Sequence, residues 1–325
     1  MTPNPPPPNP AADAAAPAII TPVAPLHLPP GLNVGEAFTR ILEHHGALML
    51  HHAGRIPPGG EDTEPVHQTR VALRRLRSAL AVFRDAAGTP GTFELAQDLR
   101  ALGHVLGPAR AWDVFLAETG ARLREAFAED KALRTLLDTA ARKRDTAYSA
   151  LAREHAGPRF RLLTQHLTAI TDGRGWRDGL LAEQRPLLSM PLDQYGPGIL
   201  TRLHLRVRRG GKRIMALDTP VLHALRLRGK RLRYIAEFFV APFPAKPTTR
   251  YLRRLAALQE QLGVLNDATT TATLMAELRA RGHAGGIVLG FTAAKADIAR
   301  HHLPDVWKKF RRTEPFWAIG GPAES

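Results

Sequence analysis

The sequence contains no cysteine. That excludes disulfides, thiol nucleophiles and cysteine-ligated zinc or iron–sulfur centres, and it fits a reducing, cytoplasmic setting. Aromatic residues are scarce at 6% of 325 positions, so a core must be built mainly from Leu, Ala and Val. No run approaches the roughly 18 apolar residues of a membrane-crossing helix. A secretory leader is not expected either. The first Lys or Arg is Arg40, and prolines interrupt the early apolar stretches. Acidic residues are few beside basic ones, 30 against 45, a net charge of +15. Such an excess points to a polyanionic partner: nucleic acid, an anionic membrane surface or a polyphosphate. The length allows two modest domains or one large one.

Residues 1–30 hold 11 of the 27 prolines and one formally charged residue, Asp13. Proline lacks a backbone donor and breaks helix interiors, so residues 1–33 are expected to form an extended, disordered arm. From residue 34 the pattern turns helical. Apolar spacing predicts helices near 35–54, 63–86, 91–106, 110–127, 130–155 and 158–172. More are predicted near 194–215, 219–241, 247–263, 266–281 and 285–313. No alternating strand-like run stands out, and the class is all-α. Leu262-Gly263-Val264-Leu265-Asn266-Asp267 reads as a helix end followed by a cap.

An internal repeat organises the chain. His67-x-x-Arg70-x-x-x-Arg74-Arg75-Leu76-Arg77 recurs as His223-x-x-Arg226-x-x-x-Lys230-Arg231-Leu232-Arg233, an offset of 156. The same offset pairs Phe83 with Phe239, Leu99 with Leu255, Leu106 with Leu262 and Gly107 with Gly263. The chain therefore reads as two copies of one helical unit meeting near residue 190. Two such units often pack about a pseudo-two-fold axis, with equivalent faces looking across a shared groove.

On a helix starting at His67, residues Arg70, Arg74 and Arg77 fall within about 80° of it. Leu73, Leu76, Leu80 and Phe83 form the neighbouring stripe. Residues 67–84 hold five Arg and no acid, so the face repels itself until an anion neutralises it. Residues 202–233 are denser, with eleven basic residues against Asp218 alone. Arginine dominates there, and its planar fork matches two phosphate oxygens at once. A histidine beside such a site donates two N–H bonds if protonated, which nearby anions favour.

These paired motifs, with Tyr234 after the second, resemble the CHAD family, the conserved-histidine α-helical domain. Leu106-Gly107-x-x-Arg110-x-x-Asp113-Val114, its counterpart at 262–267, and the tail Trp307-Lys308-Lys309-Phe310-Arg311-Arg312 with Pro315-Phe316-Trp317 add to the likeness, which covers about 34–317. The resemblance implies two pseudo-symmetric antiparallel four-helix bundles around a basic central cavity that binds inorganic polyphosphate. The expected division is an arm over 1–33, a domain over 34–319 with repeats meeting near 190, and a tail over 320–325. Family members are associated with polyphosphate granules, and some adjoin a triphosphate tunnel domain with an ExExK signature, which is not expected here. One departure is Ala111, where the first half often carries Asp after the arginine.

Carried over residue by residue, the implied anion contacts are His67, Arg70, Arg74, Arg77, His223, Arg226, Lys230 and Arg233. Arg75 and Arg231 are assigned to the rim. Arg202, Arg206, Arg209 and Lys212 extend the strip, and Arg213 shares a face with the first three. Lys308, Lys309, Arg311 and Arg312 are weaker candidates. The pairs His44-His45, His51-His52 and His301-His302 lack carboxylates at ligand spacing, and no metal or cofactor is expected. No nucleophile motif or phosphate loop is present, and Asp113, Glu118 and Asp267 are the carboxylates that folding would have to bring to the cavity. The expectation is a non-enzymatic polyphosphate binder, its cavity too narrow for a duplex or bulky bases. The alternatives are a nucleic-acid-binding protein, which the few aromatics disfavour, and a metal-dependent phosphohydrolase.

Overall fold

A computed structural model describes residues 26, 28–172 and 175–318. Twelve α-helices account for most of them. In the first half these are α1 (Val34–Ala53), α2 (Glu64–Val82), α3 (Arg84–Ala87), α4 (Pro90–Val114), α5 (Ala121–Ala126), α6 (Lys131–Ala156) and α7 (Pro158–Asp172). Then follow α8 (Gln184–Ser189), α9 (Leu192–Gly210), α10 (Thr219–Phe238), α11 (Ala245–Glu277) and α12 (Gly282–Arg312). No strand is present among the described residues, only an isolated bridge between Asn33 and Pro191. The fold is all-α, as the apolar spacing requires.

Local chemistry sets the helix starts. Asn33 and Glu36 form a reciprocal cap on α1, each side chain bonding the other's backbone N–H at 2.9 and 3.0 Å. Asp130 and Asp218 cap α6 and α10 through the N–H groups of Leu133 and Val221. The arm expected over 1–33 is packed at its end. Leu28 and Leu32 are buried in the core, and Val34 N–H and Leu192 N–H bond across to Met190 and Leu32. Residues 1–25 and 27, and the tail from 319, lie outside the described residues.

Two expected helix breaks are absent. α4 runs through Gly107 and Pro108 and continues as a π-helical turn, Phe115–Gly120, into α5. α11 runs through 262–267, so Asn266 and Asp267 lie inside a helix and cap nothing. Proline removes one N–H and crowds one carbonyl, a local penalty that surrounding packing overrides here.

The principal core draws on both halves. The α2 stripe of Leu73, Leu76, Leu80 and Phe83 packs with Leu225, Leu232, Ile235 and Phe239 in one continuous cluster. A second cluster joins Trp112, Phe115, Leu133 and Leu137 to Leu274, Met275 and Val288. The two repeats thus share their apolar interior, which fixes α2 and α10 against each other.

Candidate anion-binding site

α2 and α10 meet at the seam between the repeats. Phe83 and Phe239 stack with ring centroids 6.0 Å apart. Arg75 Nη2 donates to Glu237 Oε2 at 2.6 Å, and Arg233 Nε bonds the other oxygen at 3.0 Å. The guanidinium carbons of Arg74 and Arg75 lie 5.7 and 5.9 Å from the Tyr234 ring centre. With their aliphatic stripes buried against each other, both helices hold their basic strips along the same crevice.

A cavity of about 400 Å³ opens there. α2 supplies His67, Arg70 and Arg74, and α10 supplies Arg226 and Lys230. α4 adds Gly107 and Arg110, and the π-helical turn adds Phe115, Glu118 and Thr119. α11 contributes Asn266, Asp267, Thr270 and Thr271, and α12 contributes Thr292 and Lys295. Phe115 and Leu274 of the second core form part of its wall.

Three further hollows continue from it. Arg70 and Arg74 also border a hollow of about 520 Å³ with Arg77, Arg100 and His104. Arg74, Arg77 and Arg100 border the next, of about 980 Å³, with Lys230, Arg231 and Tyr234. Arg84 and Arg231 border the last, of about 440 Å³, with Arg202, Arg206 and Asp85. Arg74 and Lys230, equivalent positions of the repeat, line both the first and the third hollow. The result is a basic track crossing from one repeat to the other.

The charges along it are under stress. Burial, then Arg74 and Arg110, push Arg70 down to about 10. Burial, then Arg226 and Arg74, push Lys230 down to about 8. Burial lowers Arg226 as well, with Asp267 opposing. His67 is lowered by burial and then by Arg110, so without an anion the site disfavours its charged form. The Nε atoms of Arg74 and Arg226 are buried without a hydrogen-bond partner. Arg70 has one anchor, its Nη1 donating to Gly103 O at 3.2 Å. Arg110, followed in the chain by Ala111, forms no ion pair among the described residues.

The expected site residues separate into groups. His67, Arg70, Arg74, Arg226 and Lys230 converge on the first cavity, and Arg77, Arg231, Arg202 and Arg206 line the continuing track. His223 lies outside both. It is exposed, borders another hollow of about 670 Å³ that shares Asn266 and Ala268 with the first cavity, and bonds Asn266 Oδ1 at 2.6 Å. Arg75 and Arg233 are committed to Glu237. Arg209, Lys212 and Arg213 are exposed at and beyond the end of α9, beside none of these hollows. Lys308, Lys309, Arg311 and Arg312 are exposed at the end of α12, where positive charge complements the helix dipole.

Of the carboxylates, Glu118 and Asp267 reach the cavity, whereas Asp113 is buried and accepts from Tyr148 Oη at 3.0 Å. Among the described residues no three His, Asp or Glu side chains gather as a metal site. No helix there is long and apolar enough to cross a membrane. Sequence reasoning missed Arg100, Lys295 and the hydroxyls of Thr270, Thr271 and Thr292. The Thr269-Thr270-Thr271 run beside Asn266 and Asp267 was the available signal.

Known proteins agree with this architecture. The crystal structure of the CHAD domain from the plant Ricinus communis has a TM-score of 0.75 to this chain at 29% identity, covering 92% of this chain and 97% of that one. PptA from Streptomyces chartreusis shares the fold at TM-score 0.65 and 16% identity, covering 85% and 99%. No curated protein matches the sequence. The CHAD domain family matches residues 40–276, well over half the length, and the chain belongs to that family.

Proposed function

We propose that the protein binds inorganic polyphosphate along this track and does not turn it over. The observation that carries the reading is the meeting of Arg74 and Lys230, from equivalent positions of the two repeats, where the cavities join. A linear polyanion laid there meets the guanidinium groups of Arg70, Arg74 and Arg226, which line the cavity. Its charge also offsets the burial, and after it the repulsion from neighbouring cations, that push Arg70 and Lys230 down. Bidentate arginine–phosphate contacts supply affinity. Glu118 and Asp267 are too few for a two-metal phosphohydrolase centre, and Asp267 acts on Arg226 as a counter-charge. Binding of this kind recruits the protein to polyphosphate granules.

The test is titration calorimetry with long-chain polyphosphate. Replacing Arg70, Arg74, Arg226 and Lys230 together by Ala abolishes binding while the circular dichroism of the helices persists. Unchanged affinity refutes the site. Competition with single-stranded nucleic acid at fixed salt separates this reading from a nucleic-acid binder, and phosphate release with Mg²⁺ or Mn²⁺ would establish a phosphohydrolase and refute it. Affinity falls steeply with salt as counterions are released, by analogy with nucleic-acid complexes.

A further inference from the structure

The third hollow of the track differs from the rest. Its basic edge is formed by Arg74, Arg77, Arg100, Lys230 and Arg231. The rest of its lining includes an apolar wall of Pro90, Phe93, Ala96, Leu181 and Leu227. Phe93 is 66% exposed, Leu181 57% and Leu227 51%, so this wall stands open to solvent. No Asp or Glu borders the hollow. Tyr234 lies in its lining beside the Arg74 guanidinium.

An inorganic phosphate chain has no use for such a wall. Open apolar surface is stabilised only when an apolar body covers it. The charge at the edge requires that the same ligand carry several negative charges. The bay, of about 980 Å³, has the size of a small-molecule site and joins exposed apolar surface to convergent cationic groups. The width expected to reject bulky bases does not apply to this part of the track.

We infer that this bay is a base-binding annex, and that the protein takes nucleoside polyphosphates, their phosphates on Arg74, Lys230 and Arg77 and their base against Phe93 and Leu227. The inference rests on the polyphosphate reading of the track. Stacking on aromatic and apolar side chains is available to any base. The apolar wall carries almost no donors or acceptors to read a base edge, so purines exceed pyrimidines by contact area alone.

The experiment compares ATP with inorganic tripolyphosphate, which has the same number of phosphates, by calorimetry on the full chain at fixed salt without divalent metal. The expected result is ATP binding about tenfold tighter. The double variant Phe93→Ser, Leu227→Ser lowers ATP affinity to that of tripolyphosphate and leaves tripolyphosphate unchanged. Both positions are solvent-exposed, so the fold is retained. If tripolyphosphate binds and ATP binds no tighter, or the double variant weakens both ligands equally, the annex is refuted and the track stands. If neither ligand binds while long-chain polyphosphate does, the annex is refuted and the track stands; if long-chain polyphosphate fails as well, the polyphosphate reading falls and takes the annex with it.

Discussion

Phe83 stacks on Phe239 with their ring planes 30° apart, and these two residues occupy the same position in the two repeats. Equivalent residues can touch each other only near the axis that relates their units. The contact therefore marks where the repeats meet, and it places α2 and α10 so that Arg74 and Lys230 line a shared cavity. Apolar burial and the basic cavity are linked through one seam.

Both rings are fully buried. Truncating either, Phe83→Ala or Phe239→Ala, removes aromatic contact and leaves a cavity, destabilising by about 3–5 kcal/mol. Denaturant unfolding checks this. A loss under about 1 kcal/mol for both would show that the seam is not a structural keystone.

Arg74 and Arg75 are neighbours with different roles. Arg75 is engaged by Glu237 and Arg74 faces the cavities. Arg75→Ala lowers stability by about 1 kcal/mol, as for a partly exposed ion pair, and shifts polyphosphate affinity less than threefold. Arg74→Ala weakens binding at least tenfold and flattens the salt dependence by about one phosphate contact. Salt-dependent titrations on both variants separate the roles, and equal effects would contradict the assignment.

The paired histidines are placed differently. His67 lines the first cavity, whereas His223 stands behind Asn266. His67→Ala reduces polyphosphate affinity several-fold, and His223→Ala changes it less than twofold. Binding isotherms of the two single variants at one salt concentration are sufficient. A larger effect at His223 would move the anion path to the other side of α11.

The fold class and the two basic helices were legible because their signals are periodic: apolar stripes at helical spacing and an offset of 156 carried by His, Arg and Phe alike. The continuity of α4 and α11 was not. Gly107, Pro108, Asn266 and Asp267 are helix breakers by local chemistry, and Gly107, Asn266 and Asp267 line the cavity. A Cβ on Gly107 would lie 4.0 Å from Arg70 Nη1, an ordinary contact distance, so this helix position sits beside that guanidinium. Local propensity gave way to tertiary packing at positions that line the cavity. The split between Arg74 and Arg75 was hidden for another reason: Glu237 lies 162 positions away and meets Arg75 only through the seam.

Lys230 makes binding depend on pH. Its folded-state value is pushed down to about 8 from 10.5, first by burial and then by Arg226 and Arg74. Between those values the unfolded chain binds more protons than the folded one, so stability from this group rises as pH increases through that window. Below it both states are protonated and the full destabilisation persists. A bound polyanion reverses the preference by stabilising the ammonium. Affinity for polyphosphate therefore declines as pH rises above about 8, and binding near that pH is accompanied by proton uptake. His67, lowered by burial and Arg110, adds uptake at lower pH. Calorimetry in two buffers of different ionisation enthalpy measures the protons directly. Lys230→Arg keeps the charge and removes the uptake above pH 8, whereas His67→Ala removes only the lower component. Uptake above pH 8 that survives in Lys230→Arg would show that another group senses the anion.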